Sequence, residues 1–173
     1  MRFGWARAGA LVLLAAVAAC GRGDPNAQAE RQQQAAAFFL KTNAAAPGVI
    51  TLPSGLQYKV TASGPSGGIS PDGDDLVRVE YEGSLTNGEV FDSTYERGQP
   101  AVFTPEEVIP GWREVLQRMK VGDEWIVYVP PELGYKDRQA GPIPPHSVLV
   151  FRLKLLDVAH TPGAPSAAAT ANG

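Results

Sequence analysis

The chain has 173 residues, 44% hydrophobic and 19% charged, with 15 basic against 18 acidic residues for a formal charge of −3. That is one ordinary domain with tails, able to bury a core of its own, and not the composition of a collagen-like, coiled-coil or wholly disordered chain. Without a basic excess, general nucleic-acid binding is not expected. The single cysteine, Cys20, excludes an intramolecular disulfide and a cysteine-rich metal site.

The first element is an address. Arg2 and Arg7 precede an uninterrupted apolar run of 12 residues, Ala8 to Ala19. A membrane-spanning helix needs about 20 such residues, so the run is too short to span. A charged start, a short apolar middle and small residues at its end describe a secretory signal over residues 1–19. Val17-Ala18-Ala19-Cys20 resembles the lipobox of bacterial lipoproteins, in which cleavage leaves the cysteine first and its thiol receives a lipid. The alternative is an ordinary cut after Ala16-Val17-Ala18, with Cys20 incidental. Two or more acyl chains make a stable anchor, at about 0.8 kcal/mol per buried methylene. Loss of residues 1–19 removes both arginines and leaves 13 basic against 18 acidic residues, a charge of −5. Gly21 follows the cysteine; in Gram-negative lipoproteins an aspartate there would signal inner-membrane retention, so the resemblance favours the outer membrane, on its periplasmic side.

Residues 20–48 are expected to be a linker and short helix. Asp24-Pro25 supplies an N-cap and a proline at the first helical position, and residues 26–41 are rich in good helix formers. Pro47-Gly48 ends the pattern. In the segment 49–159, Gln57 to Val60 begins a strand. Val77 to Glu82 alternates strictly, as a half-buried strand does, and Asn87-Gly88 before Val90-Phe91 signals a hairpin. Trp112, Val115, Leu116 and Met119 fall on one face of a short helix, which Val121-Gly122 is expected to stop. Trp125 to Val129 and Leu149 to Leu156 complete the strands. Several strands around one short helix make an α+β domain with a mostly antiparallel sheet. Residues 160–173, rich in Ala, Pro, Ser and Gly, are expected to be a disordered tail.

Most motifs with chemical content are empty. Gly64-Pro65-Ser66-Gly67-Gly68 matches a hydrolase elbow in letters only, because a loop follows it where a helix is required. Asp72, Asp74 and Asp75 lack the acidic residue a calcium loop needs at its twelfth position, which is Gly83; they read as a solvated turn. Two histidines, His146 and His160, cannot build a metal site alone, and no phosphate-binding glycine loop is present. No metal and no cofactor is expected. Tyr81, Phe91, Phe103, Trp112, Tyr135 and Phe151 are spread over different elements; by spacing they read as core more readily than as a pocket.

The local sequences shift that balance. Val79-Glu80-Tyr81-Glu82-Gly83-Ser84-Leu85, Val90-Phe91-Asp92-Ser93-Thr94, Arg97-Gly98-Gln99-Pro100, Val108-Ile109-Pro110-Gly111-Trp112, Pro130 to Tyr135 and Gly141-Pro142-Ile143-Pro144-Pro145-His146-Ser147 follow in order. From about Gly55 to Val158 the chain resembles the FKBP-type peptidyl-prolyl cis-trans isomerases, and Ser54 to Tyr58 with the helix before it resembles their bacterial periplasmic branch. Relatives in that branch carry a long helical dimerisation arm; with only about 20 helical residues here, a monomer is favoured.

The resemblance implies an antiparallel sheet wrapped around one short helix, with a pocket between them. Trp112 would form its floor, with Tyr81, Phe91, Phe103, Val108, Ile109, Tyr135, Ile143 and Phe151 as walls. The Ile109 N–H and Tyr135 O–H would hold carbonyls of a proline-containing polypeptide. Asp92, at the edge, would fix Tyr81 and face Arg97; its bland alternative is a turn cap. His146 would belong to the loop wall. Ala101 stands where many eukaryotic members have an aromatic, and Lys136 replaces the glycine that usually follows Tyr135. The implied function is isomerisation of Xaa-Pro bonds during folding of exported proteins, with binding of rapamycin-type macrolides. The competing readings are a non-catalytic FKBP-like chaperone or peptide-binding module of the envelope, and an envelope lipoprotein whose tails and helix do the work.

Overall fold

The computed structural model describes residues 25–104 and 106–160. The apolar leader, Cys20 and all of the expected 160–173 tail except His160 lie outside the described residues. In chain order the elements are helix α1 (Pro25–Asn43), strands β1 (Val49–Thr51), β2 (Gln57–Ala62), β3 (Leu76–Leu85) and β4 (Val90–Ser93), helix α2 (Thr94–Arg97), strand β5 (Ala101–Phe103), helix α3 (Pro110–Leu116), strand β6 (Glu124–Val129), a 3-10 turn at Pro131–Leu133, and strand β7 (Leu149–Ala159).

The seven strands form one antiparallel sheet in the order β1-β2-β6-β7-β3-β4, with β5 also paired to β3. β6 and β7 are thus inserted between β2 and β3. The alternation in β3 determines which face turns inward: Val77, Val79, Tyr81 and Gly83 are buried, and their neighbours are exposed or half-buried. The register sets Tyr81 opposite Leu153 and Gly83 opposite Phe151, and on the other side of β7 sets Val127 opposite Phe151. One sheet face therefore carries β3, β7 and β6 side chains in continuous rows. Trp112, Val115, Leu116 and Met119 cover it, all buried.

Helix α3 starts at Pro110, which has no N–H to leave unpaired. It ends at Leu116, earlier than Val121-Gly122. The Met119 N–H bonds both the Val115 and Leu116 carbonyls (3.2 and 3.1 Å), which tightens the last turn yet keeps Met119 on the core face. Gly122, at φ +94°, serves a different purpose: a Cβ there would lie 2.9 Å from Gly64 Cα, so two chain segments cross at bare backbone. Buried Asp123 secures that crossing by accepting the Gly64 N–H at 2.7 Å.

The Asn87-Gly88 turn closes as expected, with the Leu85 N–H on the Glu89 carbonyl (2.9 Å) and Gly88 at φ +86°. The Asp72–Asp75 turn is solvated only in part, with Gly73 and Asp74 exposed and Asp72 half-buried. Asp75 is fully buried, its carboxylate accepting the Asp72 N–H at 2.9 Å and facing His160 Nδ1 at 2.9 and 3.0 Å. The end of β7 brings His160 across to it, a neighbour 85 residues away that no local pattern announces.

Candidate active site

Where β3, β4, β5 and β7 meet the start of α3, six aromatic side chains enclose a cavity of about 380 Å³. Trp112, projecting from the first turn of α3, is the centre of the cluster. Its ring lies 4.9 Å from Tyr81, 5.1 Å from Phe151 and 5.8 Å from Phe103, all near perpendicular, and Phe91 meets Phe151 edge-on at 5.7 Å. Such edge-to-face pairs contribute about 0.5–1.5 kcal/mol each beyond simple burial, so the rings hold one another at fixed angles. Tyr81, Trp112 and Phe151 are buried, whereas Phe91, Phe103 and Tyr135 are half-buried and face the opening. Core and pocket are one cluster: the inner three rings complete the core and the outer three form the cavity wall.

A polar group sits at one edge. The Tyr81 hydroxyl donates to Asp92, Arg97 pairs with the other Asp92 oxygen, and Arg97 Nη2 donates to the Tyr81 oxygen at 3.2 Å. The Arg97 guanidinium also stands over the Tyr81 ring, 5.6 Å from its centre. Burial and the Asp92 carboxylate push the Tyr81 hydroxyl above its ordinary pKa, so it stays a proton donor through the neutral range. The local chain explains the placement. Buried Thr94 clamps α2 to β3, its Oγ1 accepting the Tyr81 N–H at 2.8 Å and donating to the Tyr81 carbonyl at 3.1 Å. Ser93 caps α2 and Gly98, at φ +69°, ends it, which brings Arg97 back over the site.

The opposite wall is the segment after β6. Ala140 and Ile143 exchange two backbone hydrogen bonds of 3.0 Å, and the His146 N–H bonds the Lys136 carbonyl at 2.7 Å. Tyr135 and Ile143 are thereby held at the cavity. Lys136 has φ +58°, the left-handed conformation in which glycine is unstrained, which gives a physical reason for the glycine usual at this place.

The cavity is lined by Tyr81, Phe91, Asp92, Phe103, Val108, Ile109, Trp112, Tyr135, Ile143 and Phe151, ten of the residues expected from sequence. Arg97 is at the rim through Asp92 and Tyr81 rather than in the lining. His146 is not in the pocket wall. It also has a positive φ (+57°), and its ring meets Gln33 of α1 at 3.4 Å on the far side of the loop. Glu107, Ala140 and Pro142 line the cavity without having been expected. Gly83 is not in the lining but supports it: a Cβ there would lie 2.6 Å from the Phe91 ring and 2.7 Å from the Phe151 ring. A glycine within a strictly alternating strand is the signal that another group approaches closely.

A family model described as FKBP-type peptidyl-prolyl cis-trans isomerase matches residues 67–156, and one described as the domain amino terminal to it matches residues 13–60. The chain belongs to the FKBP-type peptidyl-prolyl cis-trans isomerase family. It is 52% identical over 121 residues to the peptidyl-prolyl cis-trans isomerase Mip of Coxiella burnetii, covering 69% of this chain and 52% of the relative. It is 46% identical over 134 residues to the outer membrane protein MIP of Legionella longbeachae, covering 77% and 57%. The chain thus spans about half the length of these curated relatives. Among solved structures, Escherichia coli FkpA aligns with a TM-score of 0.75 at 38% identity, covering 79% of this chain and 63% of that one. A peptidyl-prolyl cis-trans isomerase from Pseudomonas syringae pv. tomato aligns with a TM-score of 0.72 at 33% identity, covering 81% of this chain and all of the other. The sheet and short helix of this FKBP-type chain are thus the family fold.

Proposed function

We propose that the protein is a peptidyl-prolyl cis-trans isomerase that accelerates Xaa-Pro isomerisation in exported polypeptides. The observation that carries this reading is the aromatic cavity over Trp112 with the Tyr81–Asp92–Arg97 group at its edge. Rotation about an Xaa-Pro bond crosses a barrier of roughly 20 kcal/mol because the twisted state loses amide resonance. No bond breaks, so the reaction calls for no nucleophile and no proton relay. What it needs is a surface that binds the twisted amide better than either planar form. The twisted amide is less polar than the planar one, and a dry aromatic cradle favours it.

In this reading the prolyl ring sits on Trp112 between Tyr81, Phe91, Phe103 and Phe151. The Ile109 N–H and the Tyr135 hydroxyl hold flanking carbonyls, and Val108 and Ile143 close the sides. Asp92 acts as an orienting group: with Arg97 it keeps the Tyr81 ring fixed. Each 1.4 kcal/mol of preference for the twisted form is about tenfold in rate. The same cavity would accept a rapamycin-type macrolide. His146, which faces α1, has no direct part in binding.

The setting is read from the sequence. Residues 1–19 act as a lipoprotein signal, Cys20 carries the lipid, and the domain 49–159 works on the periplasmic side of the outer membrane as a monomer, joined through the linker and helix of residues 20–48. Support comes from the lipobox and from a relative whose name places it in the outer membrane. Among the described residues no helix is long and apolar enough to cross a membrane.

The test uses protein beginning at Gly21, which avoids the lipid. Cis-to-trans relaxation of short Xaa-Pro peptides is followed with and without rapamycin, beside Phe91→Ala. Acceleration abolished by the drug, and lowered at least tenfold by the substitution, is the expected result. A folded protein that gives no acceleration would refute the enzyme and leave a peptide-binding module of the same fold.

A further inference from the structure

Two carboxylates line the cavity, Asp92 and Glu107, and they are matched differently. Asp92 is neutralised by Arg97 and bonded by the Tyr81 hydroxyl. Glu107 lines the same cavity, on the segment leading from β5 into α3. Its Oε2 accepts the Thr104 N–H and the Thr104 hydroxyl, each at 3.0 Å, and neither donor carries a charge. Among the described residues no cation lies within ion-pairing distance of Glu107. Arg113, on the helix beside it, directs a guanidinium N–H to the Glu106 carbonyl. Lys136, Asp137 and Arg138 belong to the loop whose Ala140, Pro142 and Ile143 line the cavity, but they are not themselves in the lining. The Thr104 N–H and hydroxyl hold the Glu107 carboxyl below its ordinary pKa, so it is an anion at neutral pH.

We propose that Glu107 is a specificity residue, which favours client segments carrying Lys or Arg within two residues of the proline over segments carrying Asp or Glu. The inference rests on the isomerase reading and names the clients of the same site. A client side chain flanking the prolyl ring must leave the cavity past its mouth. There it meets one uncompensated negative charge beside an apolar wall, which strengthens the local field. The two bonds to Thr104 have already immobilised the carboxylate, so a partner cation meets a preorganised group. The side chain is exposed, and an exposed pair of this kind is worth roughly a 2- to 5-fold preference rather than an absolute one.

The experiment measures kcat/KM for two peptide series, one varying the residue before proline and one the residue after it, each with Lys, Leu and Glu. Wild type, Glu107→Gln and Glu107→Lys are compared at low salt and again at about 0.5 M salt, where the Debye length falls to a few ångströms. The readout is the Lys-to-Glu ratio within each protein, in which a general loss of activity cancels. A ratio of about 2–5 in wild type in at least one series is expected. It should be reduced by salt, near one in Glu107→Gln and inverted in Glu107→Lys. A ratio near one in wild type, or one that survives Glu107→Gln, overturns the proposal. If no peptide is accelerated, the isomerase reading fails, and the same ratio taken from Kd values in fluorescence titrations of these peptides still decides the role of Glu107.

Discussion

The Tyr81 ring packs against Trp112, Phe103 and Phe151, while its hydroxyl ties Asp92 and Arg97 together. Tyr81→Phe keeps the packing and leaves Asp92 and Arg97 paired, so only the hydroxyl is lost. A hydrogen bond to a charged group contributes about 1.5–3 kcal/mol, and less where the partners are half-exposed as here. The expected outcome is a loss of about 1 kcal/mol in urea unfolding and a kcat/KM several-fold lower, with the circular dichroism of the aromatic region little changed. Gly83→Ala tests the opposite limit. The added Cβ falls inside contact distance of two rings, and neither the Phe91 nor the Phe151 ring can yield without moving the cavity wall. Overpacking of this sort costs about 1–3 kcal/mol. Peptide turnover should fall at least tenfold, because the wall itself is displaced.

Helix α1 is the element whose contribution separates stability from catalysis. It lines no part of the aromatic cavity: the Phe39 ring lies 6.0 Å from Tyr128, and the Leu40 carbonyl and Asn43 amide bond the Gln57 side chain, which fastens the helix beside β2 and β6. Phe38, on the same helix, is 73% exposed. Helix and sheet therefore share one buried glutamine and a small apolar seam. Protein beginning at Ala44 returns Gln57 to water and exposes Tyr128. It should lose about 1–2 kcal/mol of stability, the scale of two hydrogen bonds and one partly buried ring. Its kcat/KM on short peptides should stay within about twofold of the protein beginning at Gly21, since no α1 residue lines the aromatic cavity. A loss of activity parallel to the loss of helix would instead favour the reading in which the helix does the work.

At the scale of the whole molecule, a long-range polar tie joins Asp75 to His160 and fastens the end of β7 to the turn before β3. Burial pushes the Asp75 carboxyl up, but the Asp72 N–H and His160 outweigh it and hold its pKa below the ordinary value. A depressed folded-state pKa contributes stability that is present above the unfolded value, about 3.9, and is lost as the pH falls through the lower folded value. Asp75→Asn should therefore cost about 1–3 kcal/mol at pH 7, the penalty of leaving a buried acceptor site mismatched. The difference from wild type should shrink below about pH 4. Urea unfolding at pH 7, 5 and 3 reads this directly, and a difference that stays constant over that range would remove Asp75 from the account.

How much of this could be read in advance depends on where the information lies. Strict alternation in Val77 to Glu82, the Asn87-Gly88 turn and the spacing of Trp112, Val115, Leu116 and Met119 are local, and they gave the strands, the hairpin and the buried helix face. β1, β5 and α2 have three or four residues each, too few to show a period; β1 and β5 exist because a neighbouring strand supplies their hydrogen bonds, and α2 is held by its own caps and by Thr94 on Tyr81. Most of the cavity lining was legible because the family motifs run in order along the chain. Glu107 was not, since it owes its place to Thr104 and a loop, whereas Gly83 stood out as a glycine in an alternating strand without showing which rings approach it. His146 and Asp75 were misjudged for the same reason. A residue's own sequence neighbourhood decides whether it joins a strand, helix or turn, through dihedral preference and the period of burial. Only the pairing of β3 with β7 and the docking of α1 decide that Asp75 is sealed in and that His146 turns from the pocket toward Gln33, because burial and electrostatic partners come from segments up to about a hundred residues away.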